Sequence, residues 1–560
     1  MVTSASEPTK RLRCICFPAR IIASMRTPCD EAAIRSVADG GTCGAEARVW
    51  VLAATVLGSS LAFIDGTVVN VALPAIQTTF HATVVDVQWV VESYGLFLAA
   101  LILVGGSLGD LLGRRLVFLV GVAIFAVASL GCGVALNIHE LILARSILGV
   151  GAALLVPASL AIISTSFDGQ TRGQAIGTWS GFTAITTAVG PVIGGWLVEH
   201  ASWRWAFFIN LPLAAAVMAI SLWRIPESRS AKAGRIDWAG ALLAILGLGG
   251  LVNGFLESVN LGWRHPLVLS SVLVGFACLI AFGWVEVRAT SPMVPLTLFA
   301  SRSFTGANLL TLLLYAAIGI FFFLFPLNLI QVQAYSATAT GAAVLPLILL
   351  MFLLSRWSGG LMTRYGPTLP LIVGPLIAAL GFALFAVPSV GRSYWTAFFP
   401  AVLVLGFGMA VTVAPLTTVV MSSVDQNRVG TASGINNAVA RVAGVLAIAV
   451  LGIVMVNVFA YRLNQNLTNL SLSPTILNEV RANVTKLAGF QPPSGLDRAT
   501  QVALTGSIRQ AFVLGFRVVL LICVGLSVAS AAVAWLLIGA RDSGGGNRAP
   551  AILQINTKSS

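Results

Sequence analysis

The chain has 560 residues, of which 57% are hydrophobic and only 9% charged, with mean hydropathy +0.92. A soluble domain carries about a quarter charged residues and needs them on its surface, so composition excludes a soluble globule and makes lipid the solvent for much of the chain. The net charge of +13 raises nucleic acid as a partner, which the distribution of that charge argues against below.

Residues 1–48 are basic and mixed. A cleavable signal is not expected there, because Pro18 and Arg20 interrupt the apolar stretch and no small-residue cleavage site follows. A disordered leader, or a true start at Met25, fits better. A helix needs about 20 apolar residues to cross the hydrocarbon core. Fourteen stretches qualify, over 50–73, 87–108, 116–135, 141–164, 175–198, 205–222, 238–256, 267–285, 304–330, 340–361, 369–387, 395–419, 434–459 and 511–538. Most connections are short; the exception is an outer loop over 461–510. Within it, Ser473-Pro474 is a helix start, and Ile476, Leu477, Val480, Val484 and Leu487 form one apolar face. That helix is expected on the outer surface of the bundle. The glycine-rich tail, 541–560, reads as flexible.

An even number of spans leaves both termini on one side. Lys10, Arg11, Arg13, Arg114, Arg115, Arg224, Arg229, Lys232, Arg235, Arg541 and Arg548 all fall on that side. Only Arg204, Arg264 and Arg392 occupy the short loops opposite. This positive-inside bias sets orientation rather than ligand choice and makes the termini cytoplasmic. Of the seven Cys, Cys14, Cys16, Cys29 and Cys43 lie in the leader and Cys132, Cys278 and Cys523 in apolar helices, without a metal spacing. His81, His139, His200 and His265 fall at outer helix ends, where interfacial placement explains them without a metal. The turn Gly106-Ser107-Leu108-Gly109-Asp110-Leu111-Leu112-Gly113-Arg114-Arg115 after the second span is echoed after the tenth. There it reads Gly359-Gly360-Leu361-Met362-Thr363-Arg364-Tyr365-Gly366-Pro367. The echo divides the spans as six, two and six: an N-terminal bundle over 49–225, a two-helix insert over 236–290 and a C-terminal bundle over 303–540. Repeated halves around a midplane site are the usual plan for alternating access.

Several stretches, in this order, resemble the major facilitator superfamily in its fourteen-span drug:proton antiporter branch (the EmrB/QacA type). Asp65-Gly66-Thr67-Val68-Val69-Asn70-Val71-Ala72-Leu73-Pro74 is similar to that branch's first-helix signature. Gly106 to Arg115 is similar to the inner-loop motif and Arg145-Ser146-Ile147-Leu148-Gly149 to the fourth-helix motif. Gly190-Pro191-Val192-Ile193-Gly194-Gly195 resembles the antiporter motif, followed by Trp203-Arg204-Trp205 and Asn210. Tyr335-Ser336 with Gly341 and Pro346, and Gly430 to Gly434, also fit. The chain departs from the pattern at Leu111, where a basic residue is usual, and at Leu148, where Gln is common. The resemblance covers roughly 49–540 and implies the superfamily fold, two six-helix bundles with an inserted hairpin that does not line the cavity.

Ionisable groups inside a span are costly and usually face a bundle interior or a wet cavity. Asp65, Glu92 and Arg145 are placed by the spans in the outer half of the N-terminal bundle. Asp65 is about eight residues from the outer end, roughly 12 Å deep at 1.5 Å per residue. A proton site and a static ion pair of either acid with Arg145 both fit these residues. Resemblance adds a role for Arg145 in coupling and a charged latch between the halves at Asp110, Arg114 and Arg115, beside Gly106 and Gly113. Gly190, Pro191, Gly194 and Gly195 suit a hinge or a tight seam between halves. Asn70, Asn436, Asn437 and Arg441 are cavity candidates. Among Phe321, Phe322 and Phe323, some can offer a drug a stacking surface.

The function expected is a proton-coupled antiporter that exports small hydrophobic or cationic compounds from the cell across the inner (plasma) membrane. It uses the proton gradient and no cofactor or metal. Its partners are substrate, protons and membrane lipid, with no nucleic acid; a monomer is expected, and a periplasmic adaptor stays open. An importer or uniporter on the same scaffold is the alternative. A polytopic membrane enzyme fits less well, since the short loops offer no cluster of acid/base or ligand residues.

Overall fold

Fourteen helices among the described residues are long and apolar enough to cross a membrane. The computed structural model describes residues 45–167, 169–229, 236–289, 292–424, 428–468, 470, 472–492 and 496–538. The expectations for residues 1–44, for the tail and for the four leader cysteines fall outside them.

The first six helices are Ala45–Phe80, Val84–Leu112, Arg114–Val134, Ile138–Ser166, Gly169–His200 and the broken pair Trp205–Phe208 and Asn210–Arg224. The hairpin is Trp238–Leu261 and Pro266–Arg288. The ninth helix is Arg302–Leu327 and the tenth is Ala337–Ala343 continued by Leu345–Tyr365. Thr368–Phe385, Phe399–Ser422, Val429–Leu467 and Arg498–Val533 are the eleventh to fourteenth. The face at which the chain enters at Ala45 is called the near face here, and the opposite one the far face.

The pairing of helices repeats with an offset of eight. The second and third helices pack on the fourth, as the tenth and eleventh pack on the twelfth. The first packs on the fifth and sixth, as the ninth packs on the thirteenth and fourteenth. Without a hydrophobic drive between helices in lipid, such contacts rest on close packing of small residues. Gly319 and Gly444 show this at the ninth–thirteenth crossing, where a Cβ on Gly319 would stand 2.6 Å from the Gly444 Cα. The near-face turns echoed in the sequence are also alike in backbone. Gly113 and Gly366 close the second and tenth helices at φ +123° and +74°, the left-handed region that glycine enters without strain.

The hairpin stands at the edge of one inter-bundle seam. Its seventh helix packs on both the second and the thirteenth helices, and its eighth packs chiefly on the seventh. The stretch expected as an outer loop over 461–510 is shorter than that. The thirteenth helix continues to Leu467 and the fourteenth begins at Arg498 with Asp497 as its N-cap, because polar residues extend a helix beyond lipid as readily as apolar ones. The expected helix is present over Pro474–Ala482, followed by a 3-10 turn over Val484–Gly489. Val480 and Leu487 are buried against the core, and Ile476, Leu477 and Val484 pack partly on it. The segment reaches across the first, second, thirteenth and fourteenth helices, so it caps the joint between bundles rather than lying on one of them.

The bundles are joined towards the far face. Gln77 donates to the Lys486 carbonyl at 3.1 Å and accepts from Gln331 at 2.8 Å. Gln88 donates to the Ile448 carbonyl at 3.1 Å, and Thr338 donates to Glu199 through both its amide and its hydroxyl. Towards the near face the named polar contacts stay within one bundle, and a Cβ on Gly177 or Gly359 would meet nothing within 4 Å. The described joints between bundles are thus concentrated towards the far face, while nearer the other end the thirteenth helix still meets the second, a Cβ on Gly434 standing 3.0 Å from Leu103.

Candidate functional site

Asp65 is fully buried and forms an ion pair with Arg145, itself 1% exposed. The first helix does not stop near Leu73. It runs through Pro74 to Phe80, which puts Asp65 fifteen residues, roughly 22 Å, from that end instead of the expected 12 Å. Proline lacks a donor but does not end a membrane helix whose neighbours satisfy the backbone. The Arg145 guanidinium donates through Nε to the Val90 carbonyl at 2.9 Å and lies 4.5 Å from the centre of the Tyr94 ring. Tyr94 in turn donates to the Ala62 carbonyl at 3.1 Å. The first, second and fourth helices are thus tied together around one buried charge pair. One oxygen of Asp65, Oδ1, makes no hydrogen bond of good geometry among the described residues.

Glu92 is also fully buried, but it is not part of that cluster. Neither of its carboxyl oxygens has a hydrogen-bond partner among the described residues. Its position on the second helix explains why. Gln88 and Gly95, one turn to either side of it, face the thirteenth helix at Ile448 and Val445, and Leu96 faces Gly249 of the seventh. Tyr94 and Val90, which hold Arg145, lie about half a helical turn away on the other side. Glu92 therefore points into the joint where the second, seventh and thirteenth helices meet, about 12 Å from the far end of its helix. Of the two pairings that the sequence left open, the ion pair belongs to Asp65 alone.

At the near face Asp110 accepts from Arg114 Nε and Nη2 at 3.1 and 2.8 Å, an i,i+4 pair. Arg115 donates to the Ile225 carbonyl at 2.8 Å, and the amides of Arg115 and Leu116 donate to Glu227 at 3.1 and 3.0 Å. A carboxylate on the first amides of a helix satisfies donors that have no partner within it. Gly113 turns the chain so that Glu227 lies over it, where a Cβ would come within 2.6 Å of that carboxylate. All these contacts are internal to the first bundle. Gly106 has room towards Pro157, 3.8 Å from a built Cβ.

The antiporter-like stretch lies at a helix crossing on both its sides. A Cβ on Gly190 would strike the Thr67 hydroxyl, and one on Gly194 would come within 2.7 Å of Val68, both on the first helix. On the other side the fifth helix meets the tenth. A Cβ on Gly195 would strike the Ala337 carbonyl, and one on Gly341 would strike the carbonyl of Pro191. The two backbones touch through reciprocal glycines across the bundle boundary.

The C-terminal candidates divide. Asn436 donates to Asn308 at 3.2 Å and Thr311 at 2.7 Å, so it ties the thirteenth helix to the ninth. Asn70 and Asn437 donate to carbonyls one turn back, Gly66 and Ser433, and Asn437 is exposed. Arg441 is half-buried and reaches towards the first bundle, 6.0 Å from the centre of the Phe63 ring. Phe321 and Phe323 offer no open stacking surface: both are buried, and Phe321 packs at 5.0 Å on Phe325 and 4.8 Å on Phe385. Only Phe322 of the three is partly exposed. The His residues lie at far-face helix ends as expected, and no group of three His, Cys, Asp or Glu able to hold a metal occurs among the described residues.

Sequence reasoning passed over Gln77, Gln88, Gln331 and Tyr94. The glutamines carried a legible signal, since an amide within an apolar helix requires a partner. Their partners on Lys486 and Ile448, hundreds of residues away, carried none.

Two equivalent bundles packed around a buried charged site are the plan of a secondary transporter, which exposes its site to one face at a time. The chain belongs to the Major Facilitator Superfamily, whose family model matches residues 55–448. It is 33% identical over 492 residues to the multidrug resistance protein Stp of Mycobacterium tuberculosis, covering 85% of this chain and 89% of that one. It is 34% identical over 426 residues to the tetracenomycin C resistance and export protein of Streptomyces glaucescens, covering 75% and 78%. Among solved structures, a bacterial homologue of the human lysosomal transporter Spinster, inward-facing and unoccupied, matches with TM-score 0.60 at 18% identity. That match covers 88% of this chain and 98% of the other. The nucleoside transporter NupG matches with TM-score 0.56 at 13% identity, covering 88% and 99%. These two likenesses concern the fold alone.

Proposed function

We propose that the protein is a proton-driven exporter of small, largely hydrophobic compounds, with its near face and both termini on the cytoplasmic side of the inner (plasma) membrane. The names of its relatives and the arginines on the near face support that direction and orientation. The observation that carries proton coupling is Glu92, a carboxyl group buried without a partner in the joint between the bundles. An isolated carboxylate charge is far more costly there than the neutral acid. The group holds a proton while the joint is closed and can release it when rocking of the bundles admits water. Asp65, paired with Arg145, fixes the first, second and fourth helices on the other side of the second helix from that joint, and its Oδ1 is the second point where a proton can load. The reciprocal glycines of the fifth and tenth helices form the far-face seal, and Asp110 with Arg114 and Arg115 forms the near-face latch of the opposite state.

The test is dye efflux in everted vesicles, with and without an uncoupler. The wild type should pump against a gradient only while the proton gradient stands. Glu92→Gln should lose uphill pumping yet retain substrate exchange at equal concentrations. A Glu92→Gln protein that pumps at full, uncoupler-sensitive rate would sink the assignment.

A further inference from the structure

Asp65 and Glu92 are the only carboxylates away from helix ends in the spans of the described residues. Neither offers negative charge to a substrate in the cleft between bundles: Asp65 is neutralised by Arg145, and Glu92 is sealed in a helix joint. The charge presented to the cleft is instead positive. Among the described residues no carboxylate lies within ion-pair distance of Arg441, which projects from the thirteenth helix towards Phe63 of the first. Asn437, one turn closer to the near face, is exposed on the same side of that helix.

The surroundings of this cation are aromatic. Phe63 lies beneath the guanidinium, and the Phe63 ring meets Trp179 edge-on at 6.4 Å. Trp179 is fixed by its Nε1 donating to the Ser59 hydroxyl at 2.9 Å. A guanidinium is a weakly hydrated, planar fork of donors that pairs with carboxylates and stacks on rings. With the Phe63 ring beside it and the fixed Trp179 indole beyond that ring, it presents a charge and an apolar aromatic surface together.

We propose that Arg441, with Phe63 and Trp179, forms a subsite for the anionic group of planar aromatic weak acids, such as carboxylates or phenolates fused to ring systems. Arg441 is then the specificity-determining residue that admits anions to the cleft. The proposal rests on the exporter reading for its biological sense, but not for its test.

The test is equilibrium binding to the purified full-length protein in nanodiscs, read by dye fluorescence polarisation. The probes are fluorescein, an anion at neutral pH, and a cationic rhodamine ester with the same ring system. A hydrogen bond to a charged group contributes enough that its loss weakens binding about tenfold or more. Arg441→Gln should lose that factor for fluorescein and bind the cationic dye as well as or better than the wild type. Arg441→Lys, which keeps the charge without the fork, should fall between. Equal weakening of both dyes by Arg441→Gln, or a wild type that fails to bind fluorescein, overturns the proposal. Fluorescein that binds but is not pumped in vesicles counts against the exporter reading and leaves the subsite standing.

Discussion

Replacing Asp65 by Asn removes one charge of a pair that is withdrawn from solvent on both sides, Asp65 at 0% and Arg145 at 1% exposure. The asparagine keeps the shape of the side chain, so the loss is almost purely electrostatic. Arg145 is left with neutral partners only, the Val90 carbonyl, the Tyr94 and Phe207 rings and the amide oxygen of the new side chain, none of which carries a countercharge. Breaking a buried pair by removing one partner costs about 3–5 kcal/mol, because the remaining charge stays buried. Asp65→Asn is therefore expected to unfold in milder denaturant than the wild type by that amount, as well as to lose uphill efflux. The paired replacement Asp65→Asn with Arg145→Gln leaves no buried charge and should recover about 2 kcal/mol or more of the loss. Equilibrium unfolding of the four proteins of the cycle in mixed micelles measures both quantities. An Asp65→Asn protein as stable as the wild type, or a double variant no more stable than the single one, would refute the view that this pair holds the bundle.

Two further outcomes follow from the far-face closure. Gly341→Val places side-chain carbon where the Pro191 carbonyl now lies, so the far side should stay open. A cysteine introduced by Thr338→Cys should then react faster with an impermeant maleimide than in the Thr338→Cys parent; equal rates contradict the seal. Gln77→Ala removes the bonds to the Lys486 carbonyl and to Gln331. Loss of the bond to Lys486, about 1 kcal/mol, should favour local opening of the 484–489 turn about fivefold. Trypsin added from the far side should cleave at Lys486 correspondingly faster, and an unchanged rate would show that the turn is held by its apolar contacts instead.

Much of the architecture was legible because lipid constrains a chain severely. Every spanning segment must be a helix that satisfies its own backbone, so apolar length alone located fourteen of them. The echoed glycine turns correctly related the second helix to the tenth, since a sharp reversal at Gly113 and Gly366 needs the same backbone conformation wherever it occurs. The edges were harder to read. The first, thirteenth and fourteenth helices continue well past their apolar cores, where polarity no longer distinguishes a helix from a loop. Phe321 and Phe323 were ambiguous for a related reason: an aromatic in an apolar helix has the same appearance whether it faces lipid, cavity or core.

Composition by itself determined that this chain is solvated by lipid, and the rare charges within its spans determined which helices matter. Only the tertiary structure decided which charge meets which. Asp65 and Glu92 are equivalent in one dimension, each an acid in an apolar helix of the same bundle. The rotation of the second helix turns Val90 and Tyr94 towards Arg145 and Glu92 towards the thirteenth helix. Rotation about a helix axis follows from packing against neighbours distant in sequence, so one acid became the anchor of a bundle and the other a lone carboxyl group in the joint between two.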